Sequence, residues 1–284
     1  MIKEWIEEYG PANLEQAEQA LREIMQEIAL AGLQRSGFFE VAAFYGGTAL
    51  RIFHGIDRFS EDLDFSLLES DPDFSLAPYL KGMQKEFAAL GMEISIKEKI
   101  KTRQSQIDSA FLKPDTTWQE LTLKAIIPQE GLNYLRSSIK IKLEVDKKPP
   151  PGFTTEEKLL LKPFSFYTKC YVLPDLFAGK MHALLFRKWI NRVKGRDWYD
   201  MEWYIKKGIP LHLPHLALRA RDSGNRDQAE MSVEQFKDLL RAKIDAVSMD
   251  QIKQDVLPFI RDDKKLNIWS SAYFKDLVDK IKYK

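Results

Sequence analysis

Two carboxylates spaced two apart, Asp62 and Asp64, stand fifteen residues beyond the Gly46-Gly47 pair in GGTALRIFHGIDRFSEDLDFS. The segment DLDFSLL alternates Asp62, Asp64 and Ser66 with Leu63, Phe65 and Leu67, the period of a strand with one polar and one apolar face. Both acids then share a face, roughly 7 Å apart along the backbone. Carboxylates held that close repel one another unless a cation lies between them. Magnesium is the natural cation, being hard, oxygen-seeking and commonly bound by one or two carboxylates with substrate phosphates completing its shell. A third acid from a neighbouring strand, Glu144 or Asp146 in SIKIKLEVD, would complete a two-ion clamp for in-line displacement at phosphorus. The glycines fit the same chemistry, because they let the backbone approach a phosphate without obstruction. A helix starting at Thr48 would aim its free amides at that anion, with Thr48 both capping the helix and touching a phosphate oxygen.

The elements that must position these groups follow from hydrophobic period. Residues 14–35 carry Leu14, Ala17, Leu21, Ile24, Ile28 and Leu33 at helical spacing. VAAFYGG reads as a short buried strand and TALRIFHG as a helix of about two turns ended by Gly55. After a helix around 75–90 ended by Gly91, strands are expected at 92–100, 118–128 and 138–146, the last closed by Pro149, Pro150 and Pro151. FSFYTKCYVL (164–173) reads as a further strand. From Pro174 onward every segment reads helical: PDLFAGKMHALLFRKW, then 196–208, 232–245 and 270–282. The expected fold is α+β: a mixed sheet with flanking helices over 1–173, then a mainly helical half over 174–284 that contributes to the active site.

Composition sets the class. The 284 residues are 30% charged and 44% hydrophobic, with a formal net charge of +1, so no whole-molecule field drives general nucleic-acid binding. No apolar run approaches the roughly 18 residues of a membrane span, and MIKEWIEEYGPANLEQ lacks the form of a signal peptide; a cytoplasmic protein without membrane contact is expected. The lone Cys170, in an apolar run, reads as buried filler.

The block GGTALR…RFSEDLDF, with Lys180 in LFAGKMHALLFR and Arg196-Asp197-Trp198-Tyr199-Asp200 beyond it, resembles the DNA-polymerase-beta-like nucleotidyltransferases and, within them, the AbiEii-type toxins of toxin–antitoxin and phage-defence systems. The resemblance covers roughly residues 40–205. It implies a fold of the nucleotidyltransferase type, an NTP substrate with two magnesium ions on Asp62 and Asp64, and a phosphate cradle from Gly46, Gly47 and Thr48. It also implies that Lys180 contacts the triphosphate and that Asp197, with Asp200, acts near the transferred group. Glu144 is taken as the third carboxylate and metal ligand, because Asp146 lies nearer the proline-rich exit.

Arg187, two turns beyond Lys180, is expected to reach nucleotide or acceptor, and Arg196, beside the acid pair, is expected to bind nucleotide. Arg51, Arg58 and Ser60 are expected to brace the metal-binding strand or the nucleotide. Arg187, Lys188, Arg192, Lys194 and Arg196, interleaved with Trp189 and Trp198, suit nucleic-acid phosphates and bases, and Lys97, Lys99, Lys101 and Arg103 form a second basic run. The resemblance points to an RNA acceptor, the tRNA acceptor end above all, and to a cognate antitoxin protein. Two other readings keep the same residues: a phosphotransferase moving the gamma phosphate, and a non-catalytic nucleotide- or RNA-binding module.

Overall fold

A computed structural model of the chain describes residues 1–98, 116–129, 132–187, 193–224 and 230–284. Helix α1 (Ile2–Glu8) leads into α2 (Leu14–Arg35), which begins where the Asn13 side chain accepts the Gln16 amide at 2.9 Å. The apolar stripe of α2 is fully buried at Ile24, Ile28 and Leu33. A short 3-10 turn (Phe38–Glu40) feeds β1 (Ala42–Tyr45), α3 (Gly46–His54) and β2 (Leu63–Leu67). Helix α4 (Ala77–Ala89) ends ahead of Gly91, whose φ of +72° breaks it as the sequence requires. Strands β3 (Ile94–Glu98), β4 (Thr116–Gln129), β5 (Leu132–Asp146), β6 (Thr155–Leu160) and β7 (Phe166–Tyr171) follow.

The seven strands form one mixed sheet in the order β3-β4-β5-β2-β1-β7-β6. β1 is antiparallel to β2, while β2 runs parallel to β5 and β1 parallel to β7. One face is sealed by α2 and α4: Leu63, Phe65, Ile139, Ile141, Leu143 and Val145 are at most 1% exposed and belong to that core. The opposite face carries the polar alternates. Helices α5 (Leu173–Phe186), α6 (Gly195–Lys206), α7 (Leu213–Asp222), α8 (Val233–Ala246), α9 (Met249–Val256) and α10 (Ser271–Val278) form a second core, reached from the sheet side by Ala43, Leu50, Ile56 and Tyr171.

Several expectations are corrected. Helix α3 starts at Gly46, two residues earlier than expected, because Gly46 turns the chain at φ +86° directly after the extended Tyr45. Helix 270–282 stops at Val278, and Lys282–Tyr283 instead forms β9, parallel to β8 (Pro210–Leu211), so the second half is not wholly helical. Strand β6 was not expected, and β5 begins six residues before the expected 138. Cys170 is fully buried, in keeping with its apolar run.

Candidate active site

Sheet register gathers the acids. Tyr45 pairs with Asp64, and Asp64 with Glu144, so β1, β2 and β5 place three polar side chains side by side on the face away from α2. Asp62 lies just before β2. Burial, then Glu144 and Asp62, pushes the Asp64 carboxyl up to about 7; burial and Glu144 likewise raise Asp62. These acids crowd one another in a partly dry place, the electrostatic arrangement expected of a cation site. Glu144 is ion-paired with Lys142. Among the described residues no group of three or more His, Cys, Asp or Glu side chains is placed to hold a metal ion. Asp62 and Asp64 supply two carboxylates of the oxygen-donor kind that magnesium takes when substrate oxygens complete its shell.

The diglycine bend is shaped to these side chains. A Cβ on Gly46 would fall 2.3 Å from Asp64 Oδ2, and one on Gly47 would fall 2.8 Å from an Arg58 nitrogen and 2.9 Å from Ser60 Oγ. Neither position accepts a side chain without displacing the loop or the acid. Thr48, expected to cap the helix and reach phosphate, does neither. It is fully buried, and its hydroxyl donates to the Asp62 carbonyl, while Tyr45 occupies the N-cap. That bond fixes the backbone from which Asp62 projects.

Behind the bend, loop 55–62 is tied down on three sides. Arg58, 1% exposed, donates through Nε and a terminal nitrogen to both oxygens of the fully buried Asp200, at 2.5 and 2.6 Å. Glu61 accepts from Arg22 of α2 and Arg196 of α6, each at 3.0 Å. Arg196 also lies 3.8 Å over the Phe259 ring, and the Phe59 amide donates to the Phe259 carbonyl at 2.8 Å. Arg51 donates to Glu23 at 2.8 Å and to the Ile56 carbonyl at 3.1 Å, packed over Phe59. Arg51 and Arg196 thus brace the loop from its outer sides rather than lying against the bend.

Helices α5 and α6 bring the remaining groups. Lys180 lies 2.8 Å from Asp200 and 3.5 Å from Asp197. Burial alone would raise Asp197, but Lys180, Lys194 and Arg187 outweigh it and hold the carboxyl at about 2. Asp200, also raised by burial, is brought below the usual carboxylate range by Arg58 and Lys180. Both acids are anions at neutral pH. Asp200 is sealed from the cleft by its arginine, so its place is beneath Lys180 rather than beside a transferred group. Arg187 ends α5, in electrostatic reach of Asp197.

Lys194 stands out in the sequence only as part of a basic run. Burial lowers it to about 8 against the pull of Asp197, and its charge also offsets the raised Asp62 and Asp64. It occupies the N-cap position of α6, without a side-chain capping bond, next to Arg196 and Asp197. Trp198 is a core residue packed edge-on against Phe274, not a base-stacking platform. His182 pairs with Ser223 at 2.9 Å, a packed role. Lys99, Lys101, Arg103, Lys188, Trp189 and Arg192, with the side chain of Lys97, lie outside the described residues.

Known proteins agree with this architecture. A Helicobacter pylori structure, JHP933, is 14% identical and aligns over 92% of this chain and 90% of its own with a TM-score of 0.51. A candidate nucleotidyltransferase structure from H. pylori is 16% identical over 90% and 92%, at 0.45. Of these two only the first exceeds 0.5, and at that identity it speaks to the fold alone. Comparison with curated protein sequences gives no match. No helix among the described residues is long and apolar enough to cross a membrane. The profile "Nucleotidyl transferase AbiEii toxin, Type IV TA system" matches residues 28–280, nearly the whole chain and both halves of the cleft. This protein belongs to the AbiEii family of nucleotidyltransferases.

Proposed function

We propose that the protein is a magnesium-dependent toxin that transfers NMP from an NTP to an RNA hydroxyl, with the tRNA acceptor end as the target and a cognate antitoxin as its protein partner. The observation that carries this reading is the meeting of Asp62, Asp64 and Glu144 on one sheet face with Lys180 and Asp197 from the helices. The toxin character and the antitoxin rest on the family, and the RNA acceptor on the resemblance set out above.

Asp62 and Asp64 would hold magnesium, with Glu144 joining once Lys142 lets go; the ions would supply charge neutralisation at the phosphates. The open amides at Gly46 and Gly47 receive phosphate oxygens. Lys180, propped from below by Asp200 and aligned by Asp197, offsets charge on the triphosphate. The acceptor hydroxyl oxygen forms the new bond to the alpha phosphorus, the bond to the bridging oxygen breaks, and pyrophosphate leaves with its electrons. Glu144 takes the hydroxyl proton.

Incubation with tRNA, magnesium and alpha-labelled NTP should label the RNA, and Asp64→Asn should abolish labelling. Label arriving only from the gamma position would assign phosphoryl transfer instead. No transfer and no nucleotide binding by the folded wild type would leave a module without this chemistry.

A further inference from the structure

Arg219 of α7 takes no part in the chemistry described so far and does not stand out in the sequence. Its guanidinium carbon lies 5.9 Å from the centroid of the Tyr45 ring and 3.9 Å from where a Cβ on Gly179 would sit. Those two neighbours locate it. Tyr45 is the strand partner of Asp64 and so shares its face of the sheet, and it immediately precedes the diglycine bend. Gly179 immediately precedes Lys180. Arg219 therefore stands beside the acid-bearing face and against α5, at the residue before Lys180.

What singles it out is the lack of a partner. Among the described residues Arg219 makes no ion pair and no side-chain hydrogen bond, and its Nε is buried and unsatisfied. Arg58 and Arg196, by contrast, are each tied to a carboxylate. The rings around Arg219 carry no negative charge: burial keeps His215 neutral, down at about 4, and raises the Tyr45 and Tyr171 hydroxyls above their ordinary range. Asp146 and Asp175 are the carboxylates that act on the same rings, and each has another partner: Asp146 accepts the Lys148 amide at 3.1 Å, and Asp175 accepts the Thr154 amide at 2.6 Å and pairs with His212. A half-buried guanidinium beside an aromatic face, with its Nε–H buried and unmatched, costs free energy that an anion would recover.

We propose that Arg219 is a phosphate-binding residue, its fork closing on phosphate oxygens opposite the diglycine bend. This rests on the reading of the Asp64 face as the site of transfer. The phosphate belongs either to the nucleotide, which the adjacency to Gly46 favours, or to the acceptor RNA.

The test compares Arg219→Gln and Arg219→Lys with wild type and Asp64→Asn, using titration calorimetry with magnesium–NTP, filter binding of tRNA, and alpha-label transfer, with thermal melts to verify folding. Removing one charged hydrogen bond to a phosphate oxygen should weaken binding about ten- to hundredfold. In Arg219→Gln that weakening should appear in nucleotide Kd and KM with tRNA affinity unchanged, and Arg219→Lys should recover part of it. Weakening confined to tRNA binding would place the phosphate on the acceptor and still support the assignment. A folded Arg219→Gln with wild-type affinity for both ligands, while Asp64→Asn abolishes transfer, would overturn the role of Arg219 and leave the site intact. Wild type that binds no nucleotide would bring down the underlying reading and this assignment with it.

Discussion

Removing Arg58 tests how the two halves are joined. Its guanidinium makes two charge-assisted bonds to Asp200 and donates to the Phe59 carbonyl at 3.0 Å, all out of water. Arg58→Ala leaves Asp200 buried with Lys180 alone to balance it. Breaking a buried pair by deleting one member costs about 3–5 kcal/mol. For a chain of this size each kcal/mol moves Tm by about 2 °C, so the melt should fall by about 6–10 °C. The local effect reaches further, because an uncompensated Asp200 draws Lys180 down and away from Asp197, and misplacement of about 1 Å can cost on the order of a hundredfold in rate. The assay is a thermal melt paired with NMP transfer measured well below the new Tm. Arg58→Lys keeps the charge without the fork and should fall between the two. Replacing the pair together, as Arg58→Met with Asp200→Leu, should restore most of the stability but not the transfer. An Arg58→Ala melt within about 2 °C of wild type would refute the reasoning, since a buried pair cannot be broken with so small an effect.

Asp64→Asn should abolish transfer yet stabilise the ligand-free protein above neutral pH. Because the folded-state pKa of about 7 lies above the ordinary 3.8, the folded chain holds a proton the unfolded chain has released, and stability falls as pH rises through that window; melts of wild type and variant should differ in part at pH 5, which lies inside the window, and most at pH 8. Gly46→Ala forces a Cβ toward Asp64 Oδ2 at positive φ, and should lose activity together with more than about 1 kcal/mol of stability, read by urea titration and transfer. Cys170, fully buried with its thiol raised by burial, should resist alkylation by iodoacetamide in the native protein and react only after unfolding, as mass spectrometry would show.

The sequence is most legible where period and caps agree. Helix α2 runs over the expected 14–35 because Asn13 supplies a cap and the apolar stripe has no break. Strand β2 is plain because its alternation survives complete, with Leu63, Phe65 and Leu67 buried. TEEKLL in β6 is hidden because it is an edge strand: Glu157 and Leu159 are exposed, only Leu160 is buried, and the other three are intermediate, so no clean apolar period forms. The two-residue strands β8 and β9 are defined only by each other, across the whole second half of the chain.

The site divides along the same line. Asp62 and Asp64 can be found because their relation is local, a matter of one strand's pleat. Glu144 follows from a matching polar face, and the parallel register with Asp64 is what favours it over Asp146, which pairs with Ser66 one step further along. Roles that depend on a partner far away in sequence are out of reach. Arg58 and Asp200 are 142 positions apart, and nothing in either neighbourhood distinguishes a clamp from a pair of site residues. Thr48 looks like a cap because its type suits one, but a glycine two positions earlier has already turned the chain. The same glycine explains why the acids sit where they do: only a residue without a side chain lets the first turn of α3 close over Asp64, so the bend and the carboxylate occupy one shared volume, and neither can change unless the other moves.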